Sequence, residues 1–218
     1  MEAAAPNPAD FWDARYEAEA YAYGTEPNAY FRRQLGALPP GRLLLLAEGE
    51  GRNAVYAAQQ GWQVTAVDFS DEGRAKALRL AASRGVRLDY QVADLTALHW
   101  QRPGYYDAIG LIYAHLPPAD RQAVHAAAAA SLAPSGHLVL EAFSPRQLGL
   151  ASGGPRAAEL LYEPALLAPD FAGLTLLENE ELRVVLHEGS FHAGPASVVR
   201  LLARRPASEP YTELTPLI

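Results

Sequence analysis

Three short runs carry the residues with the most chemical content. Glu48-Gly49-Glu50-Gly51 sets two glycines among carboxylates, Asp68 follows 19 positions after Gly49, and Asp94 stands in Val92-Ala93-Asp94-Leu95. A glycine turn between a strand and a helix brings backbone N–H groups and the positive end of the helix to a polar ligand. This turn has two glycines where a dinucleotide fingerprint has three, and its two glutamates would repel a pyrophosphate. A ligand with a cationic near end, such as an amino-acid ammonium, suits it better. Asp68 can accept hydrogen bonds from both hydroxyls of a ribose, and Asp94 can meet an adenine amino group. Either acid could equally cap a helix, although Ser70 and Asp71 are better placed than Asp68 to do so.

A second set could handle a reacting partner. Tyr113 and His115 follow a predicted strand, His192 lies in a predicted hairpin turn, and Arg146 could face an acidic group. A histidine can act as a general base near neutral pH, with a rate rising through roughly pH 6 to 7. Each of these residues also has an ordinary structural role. Upstream, Phe11-Trp12, Tyr16, Tyr21, Tyr23 and Tyr30 concentrate aromatics before the main fold. They suit a lid that excludes water, or a helix packed on the sheet.

The elements that must position these residues alternate. Leu43 to Leu46 is apolar throughout and too short for a helix, as a strand buried on both faces should be. Arg52 to Gln60 reads as a helix stopped by Gly61, 63–68 as a second strand, and 71–84 as a second helix closed by Gly85. A third strand at 86–92, a fourth at 106–113, a helix at 119–132 and a fifth strand at 137–141 continue the series. Strands alternating with helices imply a parallel sheet. Phe143 to Pro155 is rich in Ser, Gly and Pro and reads as a loop, a short helical piece follows near 157–161, and 174–187 with 196–203 form a hairpin. The expected fold is α/β and Rossmann-like, a seven-stranded mixed sheet with helices on both faces and an antiparallel C-terminal hairpin.

The 218 residues suit one domain, with 1–40 as leader or lid, 41–141 as a ligand-binding core and 142–218 as the side that receives the reacting partner. The absence of cysteine excludes disulfides and thiolate chemistry. A net charge of −7 argues against a nucleic-acid or membrane surface, which needs clustered cations. The first residues lack the pattern of a secretory or transit signal, so a cytoplasmic protein is expected. Lys76 is the only lysine, and the composition alone attaches no chemistry to it.

The ordered set Leu43 to Asn53, Val67-Asp68-Phe69-Ser70, Ala93-Asp94-Leu95, Tyr106 to Ile109 and Leu132 to Leu138 resembles class I S-adenosylmethionine (SAM)-dependent methyltransferases. The leader Trp12, Arg15-Tyr16, Tyr23-Gly24, Pro27-Asn28 is similar to that of the tellurite-resistance and thiopurine-type branch. The resemblance implies methyl transfer from SAM, with S-adenosylhomocysteine as product, to a small-molecule acceptor, with no metal. It assigns the cofactor to Glu48, Gly49, Glu50, Gly51, Asn53, Asp68, Phe69, Ser70, Ala93, Asp94 and Leu95, with Tyr16 and Tyr23 from the leader. Tyr113 and His192 are the candidates for catalysis. The family's usual acid falls on Leu45 and its first glycine on Ala47, so Glu48 or Glu50 would hold the methionine end. A His-Arg pair entering the hairpin, expected of a tellurite enzyme, is replaced by His187-Glu188. A soft nucleophile is the expected acceptor. An NAD(P)-dependent oxidoreductase and a non-catalytic SAM-binding module are the alternatives.

Overall fold

The computed structural model describes residues 8–207; the start of the leader, 1–7, and the tail, 208–218, lie outside the described residues. Seven strands form one sheet: β1 (Arg42–Leu46), β2 (Gln63–Asp68), β3 (Asp89–Val92), β4 (Tyr106–Ile112), β5 (Leu132–Phe143), β6 (Thr175–Glu188) and β7 (His192–Arg204). Their order is β3-β2-β1-β4-β5-β7-β6. Strands β1 to β5 pair in parallel, and β7 runs antiparallel between β5 and β6. The helices are α1 (Pro8–Tyr16), α2 (Ala29–Leu35), α3 (Arg52–Gln59), α4 (Asp71–Ser83), α5 (Pro118–Ser131) and α6 (Pro164–Asp170).

The all-leucine run of β1 serves two cores because alternate side chains point to opposite faces. Leu43 and Leu45 pack with Tyr30, Phe31 and Leu35 of α2 and Ala54 and Ala57 of α3. Leu44 and Leu46 pack with Val124 and Ala128 of α5 and Leu167 of α6. The sheet reverses its winding between β1 and β4, so the carboxyl ends of these neighbours flank the crevice where ligands of such sheets bind. Both strands give way at that crevice to non-glycine residues in the left-handed region, Ala47 (φ 55°) and Tyr113 (φ 57°).

Two elements differ from the sequence pattern. β5 begins at Leu132, which pairs with Tyr106, and Pro134-Ser135-Gly136 bulge out of the strand before pairing resumes at His137. Gly136 permits the bulge, since a Cβ there would lie 2.8 Å from the Ala133 carbonyl oxygen. The helical piece expected at 157–161 is only a 3-10 turn, and a helix forms downstream at α6, opened by Pro164. Among the described residues no helix is long and apolar enough to cross a membrane.

Candidate functional site

The glycine turn is held by carboxylates on both sides. Asp68, at the end of β2, accepts the Gly49 N–H at 2.9 Å through one oxygen and the Ser70 N–H at 3.0 Å through the other. Ser70 caps α4 by accepting the Gly73 N–H, the role expected of it in preference to Asp68. Tyr90 donates to the Gly49 carbonyl at 2.6 Å. Glu48 accepts the Ala54 N–H at 2.7 Å and the Asn53 side-chain amide at 3.4 Å, satisfying the first turn of α3. Burial, opposed by these N–H groups, pushes Glu48 up to about 7 and Asp68 up to about 6.

The glycines serve packing as well as approach. A Cβ at Gly49 would lie 2.6 Å from the Tyr16 hydroxyl, and one at Gly51 2.5 Å from the Ala77 Cβ. Helices α3 and α4 and the leader therefore close on the turn. Farther along the same edge the Ala93 N–H donates to the Asp68 carbonyl, and Leu95 is buried. Asp94 is exposed and caps a 3-10 turn through the Thr96 N–H and hydroxyl.

Glu50 has a different task from Glu48. It accepts the N–H groups of Ala22 and Tyr23 at 3.2 and 3.4 Å and pairs with Lys76 at 2.6 Å. The Lys76 ammonium also donates to the carbonyls of Ala18 and Ala20, both at 2.7 Å, and of Tyr16 at 3.4 Å. Only 1% of this side chain is exposed. The one lysine of the chain thus anchors the leader to α4 and the glycine turn, a task composition could not reveal. Its position could have signalled it: Lys76 falls on the buried stripe of α4 with Gly73, Ala77 and Leu80.

From Lys76 the leader runs across to the hairpin. Gly24 meets Gly189, where a Cβ would lie 2.5 Å from the Gly24 nitrogen, and the Phe191 N–H donates to the Ala22 carbonyl. Here Tyr23, Tyr113 and Phe143 surround His192, with ring centroids 4.4, 4.5 and 5.2 Å from the imidazole. Tyr113 donates to Glu141 at 3.0 Å. Burial, with Glu141 and Glu188 adding to it, holds the Tyr113 phenol well above its ordinary value.

Next to these rings lies a charged network whose pairing sequence reasoning missed, although it had noted Asn28 and Glu188 singly. Glu141, 1% exposed, receives the Asn28 amide at 2.6 Å and Arg200 at 2.5 Å. Glu188 receives Asn28 at 3.0 Å and Arg52 at 2.7 Å. Against the effect of burial, His192 and Arg52 hold Glu188 down to about 2. Burial keeps His192 below its ordinary value, so its neutral form extends to lower pH than the sequence suggested. His115 is used up structurally: Nδ1 contacts the Leu160 carbonyl at 2.7 Å and Nε2 accepts the Phe143 N–H at 3.2 Å. Burial lowers it to about 4. Arg146 is exposed and lies 3.5 Å from Glu181.

The glycine turn, the acid closing β2 and the switch point all fall within one stretch of chain that can be compared with known families. Residues 43–136 match the family model of a methyltransferase domain. No curated protein matches the chain. Among solved structures, one titled for the conversion of a disulfide bond into a thioacetal group during echinomycin biosynthesis aligns with a TM-score of 0.72 at 20% identity, over 93% of both chains. TehB from Haemophilus influenzae aligns with a TM-score of 0.68 at 16% identity, over 90% of this chain and 66% of its own. The N-methyltransferase NodS from Bradyrhizobium japonicum WM9, solved with S-adenosyl-L-homocysteine, aligns with a TM-score of 0.66 at 14% identity, over 92% of this chain and all of its own (100%). These likenesses establish a shared fold. The methyltransferase-domain match contains Glu48 to Asn53, Asp68, Asp94 and Tyr113, whereas Asn28, Glu141, Glu188, His192 and Arg200 lie beyond it.

Proposed function

We propose that this chain transfers a methyl group from SAM to a small-molecule acceptor with a soft nucleophilic atom. The observation that carries the reading is Asp68, a buried carboxylate aligned by two backbone N–H groups at the end of β2, inside the methyltransferase-domain match. Each of its oxygens has further capacity to accept a hydrogen bond, and burial raises its proton affinity against the backbone N–H groups that lower it. Ribose hydroxyls would supply further donors. Glu48, to which no cation is bonded among the described residues, suits the methionine ammonium, whereas Glu50 is already paired with Lys76. Gly49, Gly51, Asn53, Phe69, Ser70, Ala93, Asp94 and Leu95 complete the cofactor edge in this reading, with Tyr16 and Tyr23 closing it from the leader.

A sulfonium supplies a methyl group that is already activated, so the chain's own residues mainly align the acceptor and keep water out. Tyr23, Tyr113 and Phe143 form the walls, and His192 receives a proton from acceptors that carry one. Aromatic walls around a neutral imidazole favour a soft acceptor over a phosphate-rich one. The resemblance of the leader to the tellurite-resistance and thiopurine-type branch agrees with this reading, which includes a cytoplasmic location. Calorimetric titration with S-adenosylhomocysteine and NADH tests the cofactor, and binding of NADH alone would overturn the proposal. Turnover of labelled SAM against thiols, chalcogen oxyanions, phenols and amines tests the acceptor. S-adenosylhomocysteine binding without turnover on the whole panel would point to a non-catalytic module.

A further inference from the structure

His192 is 6% exposed, and its Nδ1 is buried without a hydrogen-bond partner. An unpaired buried nitrogen is costly, and in a working site it calls for a partner close by. The faces around the ring are aromatic, and the Tyr113 hydroxyl is already committed to Glu141. Glu188 Oε2 stands 3.7 Å from Nδ1, within ion-pair range and about half an ångström beyond a good hydrogen bond. Arg52 and Asn28 clamp the two oxygens of this carboxylate, yet Oε2 keeps a second lone pair. The opposite edge of the ring meets Gly153. A Cβ there would lie 2.7 Å from His192 Cδ2 and 3.3 Å from Nε2, so only a glycine fits against that edge, and of the two ring nitrogens it is Nδ1, not Nε2, that is buried without a partner.

We infer that Glu188 is the positioning residue of His192: it takes the Nδ1 hydrogen, fixes the tautomer and leaves Nε2, beside Gly153, as the nitrogen that meets the methyl acceptor. This rests on the methyltransferase reading above. The acceptor's lone pair forms the new bond to carbon, the carbon–sulfur pair returns to sulfur, and the acceptor's proton passes to Nε2 and then to water. Arg52 links the device to the cofactor turn, because the residue that clamps Glu188 directly follows Gly51. The charged and titratable groups facing the imidazole are Glu188 from β6, Arg52 from α3, Glu141 from β5, Tyr113 after β4, Tyr23 from the leader and His115.

Long-range proton–nitrogen correlation spectra of the full ¹⁵N-labelled chain read the tautomer directly, with His192 assigned by its loss in His192→Gln. The expected result is an Nδ1–H tautomer in the wild type and a mixed tautomer with a lower apparent pKa in Glu188→Gln. The His115 and His125 signals should stay in place, which reports that the fold is intact. Arg52→Gln should keep the tautomer and raise the His192 pKa, since it removes a cation and leaves Glu188 alone with the imidazole. An Nε2–H tautomer in the wild type overturns the inference, as does a His192 signal indifferent to Glu188→Gln in a folded chain. Titration of the same sample with S-adenosylhomocysteine separates the two levels: failure to bind it defeats the methyltransferase reading, whereas binding with the wrong tautomer defeats only the role of Glu188.

Discussion

Around the glycine turn, three carboxylates bond over short stretches of chain: Glu48 reaches Ala54, Asp68 reaches Ser70 and Gly49, and Asp94 reaches Thr96, while Tyr90 and the leader join from farther away. Around the imidazole hydrogen bonds cross the molecule, from Asn28 to Glu141 and Glu188, from Arg52 to Glu188 and from Glu141 to Arg200. The bonds of Glu48, Asp68 and Asp94 stay within β1 to β3 and the segments that directly follow them, whereas the leader reaches the turn through Glu50 and Lys76. The second region exists only when the leader, α3, β5 and the hairpin have all arrived. Acid response separates the regions too. Burial raises Glu48 and Asp68, whereas His192 and Arg52 lower Glu188.

The largest expected effect falls on the link between the regions. Lys76→Met removes the ammonium from Glu50 and three leader carbonyls, leaving a buried carboxylate unpaired, at a cost of roughly 3–5 kcal/mol in chemical denaturation. A loss below about 1 kcal/mol would mean that the leader holds its place without the clamp. Next, His192→Ala should lower turnover roughly 100-fold, about 2.7 kcal/mol, while affinity for S-adenosylhomocysteine stays nearly constant. A matching loss of cofactor affinity would show that the two regions are not separable as described.

Asp68→Ala addresses the local region and should weaken S-adenosylhomocysteine binding by roughly 1.5–3 kcal/mol. Because Asp68 also pins two backbone N–H groups, the unliganded chain should lose stability as well, by about 1 kcal/mol. Unchanged affinity in the folded variant would leave Asp68 with a purely structural task.

The smallest effect is the most diagnostic of the contrast. Folded Glu48 and Asp68 keep their protons up to about 7 and about 6, against ordinary values of 4.5 and 3.8. The folded state then binds more protons than the unfolded one in that window, so their contribution to stability falls as pH rises through it. Glu188, at about 2 against 4.5, has the opposite sign: its contribution is present above 4.5 and is lost as pH falls toward 2. Urea unfolding of Glu48→Gln and Glu188→Gln across pH should flatten the upper and lower windows respectively, each by on the order of 1 kcal/mol per pH unit. The same flattening in both variants would erase the distinction.

This division also explains what the sequence made legible. Buried parallel strands appear as continuous apolar runs, so the sheet could be read directly, and the acid that closes β2 could be placed beside the glycine turn it bonds. Tyr113 lies just after a strand that could be placed, whereas His192, expected in the hairpin turn, is the first residue of β7, because the pairing of the hairpin extends farther toward its tip than the apolar run at 196–203 indicates. Asn28 and Glu188 stood in noted motifs and Glu141 and Arg200 only within expected strands, but the pairing of all four was illegible, since each finds its partner on a distant segment. The β5 bulge was hidden because Pro134-Ser135-Gly136 reads as a stop, while Gly136 in fact lets the chain pass close to Ala133 and rejoin the sheet.

The buried clamp at Lys76 has a practical corollary for labelling. With a single side-chain amine in the whole sequence, and that amine enclosed by leader carbonyls and Glu50, acylating reagents can modify it only when the leader lifts. The rate of acylation at Lys76 is therefore a clock for leader opening that needs no engineered probe, and its slowing on addition of a ligand would time the closure of the site.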